Sequence, residues 1–165
     1  MYFAKDAKVS LRKRTSPERR FRRAIILKQS TDRVLGAGYP TPRYPVARRS
    51  NLDSLALARQ ITDWAAEAKA EDIVLLDVRK ATYLADYFVI CSATSERQMT
   101  ALAERIRDRT DDLGVSLFHQ EGTADTGWVL LDYGDVIVHI FSAALRSFYH
   151  LERVWSDATT VVRVM

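Results

Sequence analysis

The sequence predicts an α/β (α+β) fold, a single mixed-sheet domain over residues 51–165 with the order α-β-β-α-β-β-β-α, behind a basic, mostly disordered arm over residues 1–50. Three observations carry this prediction. Two apolar runs closed off by charge, residues 72–78 and 86–92, read as strands covered on both faces. Segments with apolar residues at helical spacing flank and separate the strand-like runs. Charge also divides the chain: residues 1–50 hold 14 Lys and Arg against 3 Asp and Glu, net +11, while residues 51–165 hold 11 against 18, net −7.

The arm has no sustained period. Its clusters Arg12-Lys13-Arg14 and Arg19-Arg20-Phe21-Arg22-Arg23 repel one another, and the Gly- and Pro-rich residues 36–45 cannot hold a helix or a central strand. Only residues 18–29 leave room for a short helix, so disorder is the expectation. Three explanations stand side by side: an RNA-contacting arm, an Arg-rich, acid-poor organellar targeting peptide, or a stretch translated from a misplaced start codon.

From Asn51 the character changes. Leu52, Leu55, Ala58, Ile61, Ala65 and Ala68 recur at helical spacing, with Asn51 as N-cap. The two covered strands follow. Ser95-Glu96-Arg97-Gln98 fits a capping box in which the Ser95 hydroxyl and the Gln98 amide satisfy each other's backbone donors. It opens a helix whose apolar face is Met99, Leu102, Ala103, Ile106 and Leu113, stopped by Gly114. Residues 115–120 read as a short, partly exposed strand. Residues 128–131 and 136–141 form a hairpin about Tyr133-Gly134, with Gly134 supplying a positive φ. Ser142 caps a last helix carrying Leu145, Phe148, Tyr149 and Trp155.

Several function classes lack their signatures. No apolar stretch approaches the roughly 18 residues of a membrane helix, and the first 30 residues hold no apolar signal core. Cytosolic or organellar placement is therefore expected. The single cysteine, Cys91, allows no internal disulfide and sits in an apolar run as a small buried thiol. Neither phosphate-binding glycine pattern occurs. No acidic residue is followed two positions later by another, so the strand-borne carboxylate pair that holds two metal ions is missing. His119, His139 and His150 lie too far apart for a zinc site, and a Cys91–His139 triad has no support in spacing.

The hairpin and last helix admit two readings. Alternation puts Val136, Val138 and Ile140 on one face and Ile137, His139 and Phe141 on the other. Asp132 and Asp135 are natural turn residues, and Trp128, His139 and Tyr149 are ordinary core residues. Trp, Tyr, Arg and His gathered about one hairpin also make up an interaction hot spot.

These residues resemble the Iojap family of ribosomal silencing factors, called RsfS in bacteria. The resemblance spans about residues 52–157. It rests on residues 85–98, on Glu121-Gly122, on residues 127–139 from Gly127-Trp128 through Asp132-Tyr133-Gly134-Asp135 to His139, and on Arg146-Ser147-Phe148-Tyr149-His150-Leu151-Glu152 with Trp155. Two positions depart from the family: Ala93 stands where Gly is common, and His150 where an acidic residue is common. The basic arm has no counterpart in the bacterial core.

The resemblance implies a nucleotidyltransferase-like fold without catalytic carboxylates, no cofactor or metal, and no enzymatic activity. It implies binding to the large ribosomal subunit through its fourteenth protein, blocking the joining of the small subunit and repressing translation when nutrients are short. Relatives in plants and mitochondria act on organellar ribosomes, in assembly as well as silencing. Trp128, Asp132, Tyr133, Asp135, His139, Arg146 and Tyr149 form the expected contact set, the aromatics as anchors and the aspartates pairing with Lys or Arg of the partner. A body of net −7 would be drawn to a basic ribosomal protein. The arm leaves room for rRNA contact, and nothing excludes a homodimer. The expected setting is the bacterial cytoplasm, or a mitochondrion or chloroplast if residues 1–50 are a targeting peptide. The competing functions are a degenerate or active nucleotidyltransferase, binding nucleotide near residues 92–95, and an organellar ribosome-assembly factor.

Overall fold

The computed structural model describes residues 52–165. The expected arm, its short helix and the Asn51 cap lie outside the described residues. Helix α1 (Ser54–Glu67) has Asp53 at its N-cap position, without a side-chain cap. It buries Leu57, Ala58, Ile61, Trp64 and Ala65. Strands β1 (Glu71–Asp77) and β2 (Tyr87–Ala93) follow, and β2 is buried along its whole length. That is what an unbroken apolar run demands in a central strand covered on both sides.

Helix α2 (Glu96–Asp112) begins with half of the expected capping box. The Ser95 hydroxyl accepts from the Gln98 N–H at 3.1 Å. The Gln98 side chain, however, accepts from the Thr94 N–H at 2.8 Å and donates to the Lys69 carbonyl at 2.8 Å, tying the start of α2 to the end of α1. Leu113, expected on the apolar face, is exposed beyond the helix end, and Thr110 is buried instead.

Strand β3 (His119–Glu121), a 3-10 turn (Ala124–Thr126), β4 (Trp128–Asp132) and β5 (Val136–Ser142) come next. The β4–β5 turn is shifted by one residue from the expectation. Trp128 pairs with Phe141 and Asp132 with Ile137, and the Tyr133 N–H donates to the Val136 carbonyl at 2.9 Å. The two loop residues are therefore Gly134 and Asp135, with positive φ at Gly134 alone, the pattern of a type II′ turn. A Cβ on Gly134 would come within 2.8 Å of the Phe118 ring.

Ser142 caps α3 (Ala143–Tyr149) by accepting from the Leu145 N–H. The expected single last helix breaks at His150, which takes a left-handed φ of 44°, and a short α4 (Leu151–Val154) follows. The chain then returns as a sixth strand, β6 (Thr159–Val164), which sequence reading missed.

The sheet order is β3-β4-β5-β2-β1-β6. β2 and β5 run parallel and the other neighbours antiparallel. One face packs under α1 and α2 in the larger core, with Ile73, Leu75, Val89, Cys91, Val129, Leu131, Val138 and Ile140 among its residues. The other face builds a second core from Val74, Leu76, Phe88, Ile90, Trp128 and Phe141, closed by Tyr149, Leu151 and Trp155 from the C-terminal segment. Among the described residues no helix is long and apolar enough to cross a membrane.

Candidate functional site

Strand alternation sorts the expected contact residues. On β4, Val129, Leu131 and then Tyr133 belong to the helix-covered core, so Trp128, Leu130 and Asp132 face the other side. Tyr133 is thus on the wrong face for the expected surface. It is 5% exposed and its hydroxyl is hydrogen-bonded to that of Thr110 at 3.1 Å. Burial pushes its phenol up to about 12.

Trp128, His139 and Tyr149 do come together, as a buried floor. Trp128 Nε1 donates to His139 Nδ1 at 3.3 Å, which leaves the imidazole proton on Nε2. The Trp128 ring stacks on Phe141 at 4.7 Å and meets Tyr149 at 5.5 Å, and Phe88 stands edge-on to His139. Burial, and behind it the positive charge of Arg146, lowers His139 to about 3, so it is neutral at physiological pH. In this conformation none of the three presents an anchor to a partner.

Arg146 is 6% exposed and serves as an internal clamp. Its Nε donates to Glu152 at 2.7 Å and its Nη2 to the Asp72 carbonyl at 2.9 Å. It ties α3 to α4 and both to β1, where Asp72 has a φ of 48°. Of the seven expected residues, only the aspartates reach the surface. Asp135 is exposed at the hairpin tip, and the half-buried Asp132 accepts from the Gly134 N–H at 2.8 Å.

The tertiary structure brings other residues beside them. The second core is roofed over β1, β2 and the Trp128 and Phe141 ends of β4 and β5, and among the described residues no helix of that core belongs to the β3 side. On this open half-face Leu130 and Ile137 are half-buried, next to Asp132. The β3 register adds His119 opposite Asp132 and Glu121 opposite Leu130, and His119 pairs with Glu121 at 3.2 Å. Phe148 projects from α3 with 73% of its surface exposed, edge-on to Tyr149 at 4.9 Å. Leu130 and Ile137 were missed because alternation gives the face of a strand but not whether a layer covers it, and Phe148 was placed on the last helix without being singled out as a contact.

The arrangement offers apolar area rimmed by carboxylates. Cys91, expected to be buried, is fully enclosed, and burial lifts its thiol to about 12, far from a reactive thiolate. Among the described residues no three His, Cys, Asp or Glu side chains gather in a metal-binding group.

Comparison with known proteins agrees with this architecture. A family model described as "Ribosomal silencing factor during starvation", RsfS, matches residues 51–164. The chain is 44% identical over 92 residues to the ribosomal silencing factor RsfS of Bacillus subtilis, covering 56% of this chain and 78% of that protein. The chloroplastic protein Iojap of Zea mays is 36% identical over 139 residues, 82% of this chain and 59% of the maize protein, so that alignment runs into the basic arm. A crystal structure from Chromobacterium violaceum superposes with a TM-score of 0.61 at 29% identity, covering 67% of this chain and 94% of that one. One from Bacillus halodurans does so with a TM-score of 0.55 at 35% identity, covering 66% and 95%.

Proposed function

The chain belongs to the RsfS family of ribosomal silencing factors, and from that premise we propose that it binds the large ribosomal subunit, through its fourteenth protein, and keeps the small subunit from joining. The action is by occupancy and not by chemistry. The observation that carries the binding mode is the open half-face: Leu130 and Ile137 half-buried beside the carboxylates of Asp132 and Glu121. Apolar area in the centre supplies affinity, and a rim of acidic groups selects a basic partner and speeds encounter. The body's net charge of −7 acts in the same direction at longer range.

The contact set is accordingly revised. Asp132 and Asp135 remain as partners for Lys or Arg. Leu130, Ile137 and Phe148 replace the buried Trp128 and Tyr149 as apolar contacts. Trp128, His139 and Tyr149 hold that surface in shape from beneath.

Co-sedimentation of the full chain with isolated large and small subunits, followed by a subunit-joining assay, tests the reading. Binding to the large subunit alone with joining blocked is expected. Leu130→Arg should abolish both effects while leaving the fold intact. Binding to neither subunit, or binding without any effect on joining, would reject the proposal.

One observation favours a second setting. The alignment with the maize chloroplast protein extends into the basic arm, which supports action on organellar ribosomes with residues 1–50 as a targeting peptide. N-terminal sequencing of the mature protein separates the settings: a start near residue 50 supports the organelle, and a start at Met1 the bacterial cytoplasm.

A further inference from the structure

Where α3, α4, β1 and β6 meet lies a hollow of about 380 Å³ whose walls include Arg146, Arg153, Arg163, His150, Asp72 and Glu152. We propose that this hollow holds a phosphodiester of an RNA strand. Three arginines face two carboxylates, a formal net +1 without counting His150, on a body whose overall charge is −7. The local sign is therefore opposite to that of the body as a whole.

The donors are not used up by the protein. Arg146 is committed to Glu152 and to Asp72, and its Nη1 is enclosed, so Arg146 contributes positive charge behind the wall and no Nη1 donor to the hollow. Guanidinium groups meet phosphate oxygens through paired N–H donors, and the arginines placed to do so are the exposed Arg153 and Arg163. Arg163 pairs with Asp72 at 3.3 Å, but both side chains are about half exposed. Such a pair contributes little, so Arg163 is free to turn to a stronger anion. Arg153 is exposed and has no ion pair among the described residues.

Charge and shape narrow the ligand. A phosphodiester carries one negative charge, which the net +1 matches, whereas a phosphomonoester carries nearly two. Arg153, Arg163 and His150 are all exposed at the rim, which suits a strand laid across an open groove better than an enclosed metabolite. The inference does not rest on the silencing reading: the hollow would retain it if the open half-face bound no ribosomal protein.

The test uses the full chain with histidine rings labelled for NMR, titrated with the uridine trinucleotide UpUpU, which has two diesters and no terminal phosphate. Saturable shifts of the His150 ring are expected, with the buried His139 ring unmoved. In R153Q/R163Q the His150 shift should vanish. For a longer oligouridylate the slope of log K against log salt should fall by about 0.7, the value of one phosphate on a single strand. Both arginines are exposed, and an unchanged His139 resonance reports an intact fold; R153Q alone serves if the double variant is unstable. An unmoved His150 ring, a slope unchanged in the variant because the arm carries all RNA binding, or an equal His150 shift with inorganic phosphate at the same concentration would each overturn the proposal.

Discussion

His139 makes stability depend on pH in a way that one substitution isolates. In the folded protein its imidazole is lowered to about 3, chiefly by burial, against about 6.5 in an unfolded chain. The unfolded state therefore binds more protons between those values, so stability rises with pH there and is lost as pH falls from about 6.5 towards 3. For these values the two-state linkage gives a loss of about 2 kcal/mol between pH 7 and pH 5, at up to about 1.4 kcal/mol per pH unit below that. Carboxylates also titrate in this range, so the comparison needs a variant without the imidazole. His139→Gln keeps an acceptor for Trp128 Nε1 and should cost about 1–2 kcal/mol at pH 7 through altered packing. Urea denaturation of both proteins from pH 7.5 to 4.5 gives a difference curve in which carboxylates cancel. The variant's deficit should shrink by about 2 kcal/mol by pH 5 and then reverse. A flat difference curve would refute the reasoning, since it would mean that His139 takes up its proton in the folded state and is not enclosed by Trp128, Phe88 and Phe141.

Three further outcomes distinguish surface from scaffold. Tyr133→Phe should lower stability by about 1 kcal/mol by removing the hydrogen bond to Thr110, yet leave large-subunit binding unchanged; weakened binding in an intact fold would restore Tyr133 to the contact set. Arg146→Met should destabilise by about 3 kcal/mol, because Glu152 and the Asp72 carbonyl lose their shared donor; a melting temperature equal to that of the parent protein would contradict the clamp. Gly127 has a φ of 72°, and a Cβ there would meet Ser142 Oγ at 2.9 Å and Leu145 Cδ1 at 3.0 Å. Gly127→Ala should therefore cost about 1–2 kcal/mol, displace the start of α3 and weaken co-sedimentation, whereas Gly114→Ala, with open space about its φ of 69°, should cost stability without affecting binding.

Residues 72–78 and 86–92 announced the central strands because each must be apolar on both faces, a local property written into consecutive residues. The same holds for Ser95 and Ser142 as helix caps, for Gly114 at the end of α2, and for the alternation that splits β5 into Val136, Val138, Ile140 and Ile137, His139, Phe141. Periodicity, capping and charge act over a few residues, and the family resemblance followed from several such stretches in order. β6 escaped notice because an edge strand carries the weak pattern of a half-exposed one. What only the tertiary structure decided is which faces are covered. Trp128, His139, Arg146 and Tyr149 have the composition of a hot spot, but the C-terminal helices close over them and turn them into floor and clamp. Leu130 and Ile137 have the composition of core, but among the described residues no helix covers the β3 side of the sheet, so they stay half-exposed at the margin of the second core. Burial is set by contacts between residues distant in the chain, and no local pattern contains that information.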